Sequence, residues 1–226
     1  MKLKDRLSAY FDKHPYLKTI FYDRSNKMVF LTALKILVDL AQFVIQLVAF
    51  ILAPSYWYGT LAALYLIYIL TKLSIVLTRA KDTANLDHQN LVYRNTGVLL
   101  ITTILPFTGC IVLIYMTSAT FSYSGLMIFT NAFWAFFRIV TAIVYFVKDR
   151  KADYYLKSVR NVNVVTALIS IMTLQIALIN AYWGEDKPTY FNAITGGVIS
   201  AIMLAIGLFM VIKGDMTRRT KGQNSD

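Results

Sequence analysis

The chain has 226 residues, 57% hydrophobic and only 15% charged, with a formal net charge of +11. Its mean hydropathy of +0.54 and its long apolar runs exclude a soluble core, because soluble domains are about 45–50% apolar. The single cysteine, Cys110, excludes an internal disulfide framework and a thiolate metal cluster.

Residues 1–27 are polar and basic. Leu3, Leu7, Tyr10 and Phe11 recur at helical spacing, Pro15 breaks the pattern, and Leu17, Ile20 and Phe21 form a second short apolar stripe. This pattern predicts an amphipathic segment on the membrane surface, with its Lys and Arg near anionic headgroups; the alternative is a frayed tail. The region has no apolar h-region or small-residue cleavage site, so the first hydrophobic segment is expected to be retained.

Six apolar stretches follow, at 28–52, 58–78, 97–116, 123–147, 162–182 and 190–212. Each is long enough to span a bilayer. The expected fold is an all-α integral membrane bundle of six transmembrane helices over 28–212, ending in a basic tail, 213–226. Three short connections, around Pro54–Trp57, Thr117–Ser122 and Gly184–Thr189, suggest three antiparallel hairpins. An inverted repeat of three plus three spans would also fit. However, Lys35 and Asp39 have no counterpart in the fourth span.

The basic residues set the orientation. Outside the spans, every Lys and Arg except Lys187 falls in the N-terminal region, the second and fourth connections or the tail. The positive-inside rule then places both termini in the cytoplasm of a cell-membrane protein. Topology thus accounts for the basic surplus without nucleic acid as a partner. Aromatic residues mark the opposite boundary: Tyr56, Trp57, Tyr58, Tyr123, Tyr182, Trp183 and Tyr190.

Charges inside spans are the candidate functional residues, since each costs a few kcal/mol in lipid. Lys35, Asp39, Gln42 and Gln46 share one face of the first span, at steps of four, three and four. At about 1.5 Å per residue, Asp39 lies ~12 Å deep, Lys72 ~9 Å and Arg138 ~13 Å, one slab of the cytoplasmic half. Lys35 is shallower and can snorkel. One reading is a basic pocket open to the cytoplasm, with Lys35, Asp39, Gln42, Lys72 and Arg138 binding a small anion or an anionic lipid headgroup. The other is a lock in which Asp39 pairs with Arg138 or Lys72 to hold helices together.

Tyr58, Tyr65, Tyr68 and Lys72 form a stripe on the second span that reads either as packing or as ligand donors. Pro106 predicts a kink in the third span, with Thr102 and Thr103 available to the freed carbonyls. Gly197, Ala201 and Ala205, with Gly196 and Ser200 alongside, read as a close-packing face of the last span. His14 and His88 lie outside the spans, and no HExxH, CxxC, GxSxG or Walker pattern occurs. No enzyme activity, metal or cofactor is therefore expected.

Three stretches carry a resemblance. They are Pro54-Ser55-Tyr56-Trp57-Tyr58, Ser170 to Ala177 (SIMTLQIA) and Asn192-Ala193-Ile194-Thr195-Gly196. Together they resemble a group of small multi-pass membrane proteins of Gram-positive bacteria without an assigned activity. The resemblance covers most of the hydrophobic region but not the first 27 residues. It implies a bacterial plasma membrane, and a last hairpin in which Gln175, Asn192 and Thr195 form a unit; it assigns no catalytic residue. Two function classes remain. One is a small transporter or anion-binding protein. The other is a non-catalytic accessory protein, meeting a membrane-protein partner or its own copies through the last span or the basic loops.

Overall fold

The computed structural model describes residues 24–81, 85–117, 125–148, 153–182 and 189–222. The amphipathic stripes expected between Leu3 and Phe21, His14, the boundary aromatics Tyr123 and Trp183, and Lys187 lie outside the described residues. Within them the chain is all-helical. The helices are α1 (Arg24–Leu52), α2 (Tyr56–Lys81), α3 (Leu86–Thr117), α4 (Gly125–Lys148), α5 (Tyr154–Tyr182) and α6 (Thr189–Gly222). Five of them, α1, α2, α3, α5 and α6, are long and apolar enough to cross a membrane; the apolar part of α4 among the described residues, Ile128–Val144, is shorter.

Several helices outrun the apolar stretches. α3 begins at Leu86 rather than near 97, α5 at Tyr154 rather than near 162, and α6 continues to Gly222. Hydropathy detects the part of a helix that suits lipid, whereas capping decides where the helix starts. Asn85 Oδ1 accepts the backbone N–H groups of Asp87 and His88 at 3.1 and 3.4 Å. Asp153 Oδ1 accepts that of Leu156 at 2.9 Å, and Ser55 Oγ that of Trp57 at 3.2 Å. Each cap satisfies donors that a helix start would otherwise leave open. α3 runs through Pro106; the hydroxyls of Thr102 and Thr103 bond the carbonyls of Val98 and Leu100, not the Thr102 carbonyl that the proline frees.

The packing order is not that of three sequential hairpins. α1 packs on α2, but α4 takes α5 as its main partner and α3 makes its most extensive contact with α6. α5, the most enclosed helix, touches α2, α3, α4 and α6. The core is built from Trp57, Leu61, Leu64, Tyr65, Tyr68, Leu100, Phe107, Ile169, Met172 and Ile176.

α1 and α4 are inside-out by the standards of a soluble helix. α1 turns Leu37, Val44, Val48 and Ile51 outward and buries Thr32, Asp39, Gln42 and Gln46; α4 exposes Phe129, Phe133 and Phe136 while burying Asn131 and Arg138. In water such a surface would be a large apolar patch, whereas in lipid it is the ordinary outer face of a bundle.

The α3–α6 contact depends on glycine. On α6 the facing residues are Gly196, Ser200, Met203, Gly207, Met210 and Gly214, at alternating steps of four and three. A Cβ on Gly97 would stand 2.7 Å from Met210 Cβ and 2.8 Å from the Gly207 carbonyl oxygen, and one on Gly207 would stand 2.6 Å from Ile101 Cγ1. Near the middle, the Thr108 and Ser200 hydroxyls bond at 2.9 Å. The small-residue face of the last span therefore divides. Gly196 and Ser200 meet α3, while Gly197, Ala201 and Ala205 are exposed on another side of the helix. A 3.6-residue period places neighbours such as 196 and 197 about 100° apart, so the two stripes cannot share one partner.

These contacts predict that Gly97→Ala lowers the thermal stability of the detergent-solubilised protein by about 1–3 kcal/mol, because backbone on α6 must move. Gly197→Ala, with nothing within 4 Å of its added Cβ, should be neutral or slightly stabilising. Equal losses for both variants would contradict this packing.

Candidate functional site

α1, α2 and α4 converge on Asp39. Asp39 is 3% exposed, Lys72 1% and Arg138 6%. Lys72 Nζ on α2 donates to Asp39 Oδ2 at 2.5 Å, and Arg138 Nη2 on α4 lies 3.0 Å from Oδ1. Each carboxylate oxygen thus takes one cation from a different helix. Arg138 also stacks its guanidinium over the Tyr65 ring, 4.7 Å from the centroid, an arrangement that stabilises a desolvated cation.

The polar face of α1 continues away from this centre. Gln42 Nε2 donates to Asn131 Oδ1 at 3.3 Å, a second tie between α1 and α4. Gln46 follows one turn later and is also buried. The α2 tyrosine stripe points into the core and pairs there, Tyr65 with Ser170 at 3.3 Å and Tyr68 with Thr103 at 3.1 Å. Three buried polar contacts therefore join α2 to α1, α3 and α5.

Beside the three charges lies a small cavity. It is lined by Lys35, Asp39, Lys72, Phe137, Arg138, Ala142, Asn163 and Thr166, among others, and offers about 20 Å³ of water-accessible space. That is close to what a single water requires. Lys35 is half-buried at this cavity. The Nε and Nη1 atoms of Arg138 are buried and have no hydrogen-bond partner, as are the Gln42 and Gln46 carbonyl oxygens. Asp39 neutralises one of its two buried cations, leaving the trio at +1.

The structure thus brings Lys35, Asp39, Lys72 and Arg138 to one cavity and sets Gln42 one turn beyond it. Asn163 and Thr166 on α5 were not singled out in the sequence. Their signal was a polar register at 163, 166, 170 and 173 within an apolar span, which is the face α5 turns inward.

Two further ion pairs among the described residues lie elsewhere. Arg79 bonds Asp153 at 3.1 Å, joining the end of α2 to the cap of α5, and Arg94 bonds Asp215 at 3.1 Å between α3 and α6. In the last hairpin Gln175 Nε2 reaches Asn192 Oδ1 at 3.3 Å and the Phe191 carbonyl at 3.2 Å.

No protein-family model matches this chain, and no curated protein or solved structure is similar to it.

The shared carboxylate makes a test of coupling. Asp39→Asn leaves two buried cations facing each other and should destabilise by about 3 kcal/mol in thermal or denaturant unfolding. Adding Arg138→Gln or Lys72→Gln should each recover part of the loss, giving a non-additive double-mutant cycle with both partners. Strict additivity in either cycle would remove that cation from contact with Asp39.

Proposed function

We propose that this chain is a cell-membrane protein of six spans, with both termini in the cytoplasm, that binds a small anion at the Asp39–Lys72–Arg138 centre and carries it across the bilayer. The observation behind this reading is the uncancelled positive charge at that cavity. Two buried bases oppose one acid, and Arg138 keeps Nε and Nη1 without hydrogen-bond partners. A guanidinium that shares its one carboxylate with a second cation is costly in a low-dielectric interior unless something else negative shares the site. The distribution of Lys and Arg along the sequence supports the orientation. For α4 as the remaining span, the support is that the sequence from Leu126 to Val147 is apolar apart from Thr130, Asn131, Arg138 and Thr141.

Lipid vesicles reconstituted with the protein and loaded with chloride, acetate or phosphate test transport directly. At least one anion should leave wild-type vesicles faster than protein-free ones, with the rate falling at least about tenfold in Arg138→Gln, the loss expected when a charge-assisted contact of about 1.4 kcal/mol is removed. Wild-type rates that match both controls for all three anions would overturn the transport reading.

One observation favours a second reading. Gly197, Ala201 and Ala205 leave a small-residue stripe of α6 facing outward, a surface on which another transmembrane helix can approach closely. A non-catalytic accessory protein would show no anion flux, and its association with a membrane partner would be weakened by Ala201→Leu.

Orientation has its own check. With Cys110 replaced by alanine, a membrane-impermeant thiol reagent added outside cells should modify Tyr56→Cys and spare Asp87→Cys, both exposed positions. The reverse pattern would invert the topology.

A further inference from the structure

The cavity beside Asp39 restricts what can occupy it. Its water-accessible space, about 20 Å³, suits one or very few water-sized bodies. Acetate, phosphate and sulfate each bring several heavy atoms, more than one water-sized body. The three buried charges formally sum to +1, and half-buried Lys35 brings the cavity lining to +2, so a monovalent anion is held without reversing its sign. The donors also suit a weakly hydrated ion. Arg138 lines the cavity, is 6% exposed and holds unpartnered N–H groups; a guanidinium is itself weakly hydrated. Asn163, 8% exposed, adds a side-chain amide to the lining, and Phe137 and Ala142 close the rest with apolar surface.

Resting on the anion reading above, we propose that the occupant is a single monatomic monovalent anion of the halide class. It is held by Arg138 with Lys72 nearby, and Asp39 competes with it for both cations. A halide carries no directional acceptors, so it can accept from Arg138 and Asn163 without the fork geometry that a carboxylate or phosphate demands. Lys35, half-buried at the same cavity, supplies long-range attraction at the mouth.

The test is the thermal unfolding midpoint of the full-length protein in detergent, in sodium chloride, bromide, gluconate, acetate or phosphate at one ionic strength. Phosphate raises midpoints generally by exclusion from protein surfaces, so the quantity read is the difference between wild type and variants in the same salt. Ala142→Val fills the cavity without altering a charge, and Arg138→Gln removes the donor. Chloride and bromide should raise the wild-type midpoint above that in gluconate by about 3 °C, and that of Ala142→Val by less than about 1 °C. Arg138→Gln should behave like Ala142→Val; if it does not fold, Ala142→Val decides alone. A larger cavity-dependent shift with acetate or phosphate would overturn the monatomic occupant and leave the anion reading standing. If no salt separates wild type from the variants, this cavity is not the seat of an anion. Should vesicle flux then still depend on Arg138, only the seat proposed here falls; should flux fail as well, the anion reading falls with it.

Discussion

A carboxylate held between two cations governs how α1, α2 and α4 can pack. Asp39 meets Lys72 through one oxygen and Arg138 through the other. Sliding any of the three helices by a turn would separate charges at a depth where water cannot replace the lost partner. The neighbouring contacts depend on this register. Gln42 reaches Asn131 from the next turn of α1, and Arg138 stacks on Tyr65, whose hydroxyl bonds Ser170 on α5. Specificity of register, rather than net stability, is what such a buried cluster supplies, because well-packed apolar side chains would stabilise the same space as well.

The other half of the bundle is fixed differently. α3 and α6 are held by close backbone approach, with Gly97 and Gly207 facing each other where any side chain would collide. In lipid there is no hydrophobic drive between helices, so packing area and hydrogen bonds must supply the attraction. The Thr108–Ser200 bond and the Arg94–Asp215 pair sit along this same contact. α2 and α5 connect the two halves through Tyr68–Thr103 and Tyr65–Ser170. One half thus uses charge to set register, and the other uses small residues to gain area.

The helical class and most of the apolar stretches were legible in the sequence because lipid imposes long apolar runs. Depth arithmetic also placed Asp39, Lys72 and Arg138 at one level, since a helix has a fixed rise and a span has a fixed length. What it could not give was azimuth across helices. Depth does not say that Arg138 rather than Asn131 turns toward Asp39, or that α4 packs on α5. The helix ends were missed for a related reason. Asn85 and Asp153 are ordinary polar residues to a hydropathy count, yet each caps a helix that extends beyond the apolar stretch. On α6 the small residues were visible but read as one face, with Gly196 and Ser200 beside Gly197, Ala201 and Ala205. Only the position of α3 decides that Gly196 and Ser200, not Gly197 and Ala201, are covered.

The structural lock and the proposed binding centre draw on one set of side chains. A lock alone needs one acid and one base. Asp39 and Lys72 already satisfy that, with both groups almost fully buried. Arg138 is the surplus. Its helix carries Phe129, Phe133 and Phe136 on the outer face, an apolar surface to which the charge adds nothing. Sharing Asp39 and stacking on Tyr65 offset part of the cost of burying a second cation. They leave Nε and Nη1 without acceptors, and the cavity lies beside the same guanidinium. A purely structural role explains the contacts of Asp39 but not the two nitrogens of Arg138 left without acceptors, and the proposed anion would answer to those nitrogens.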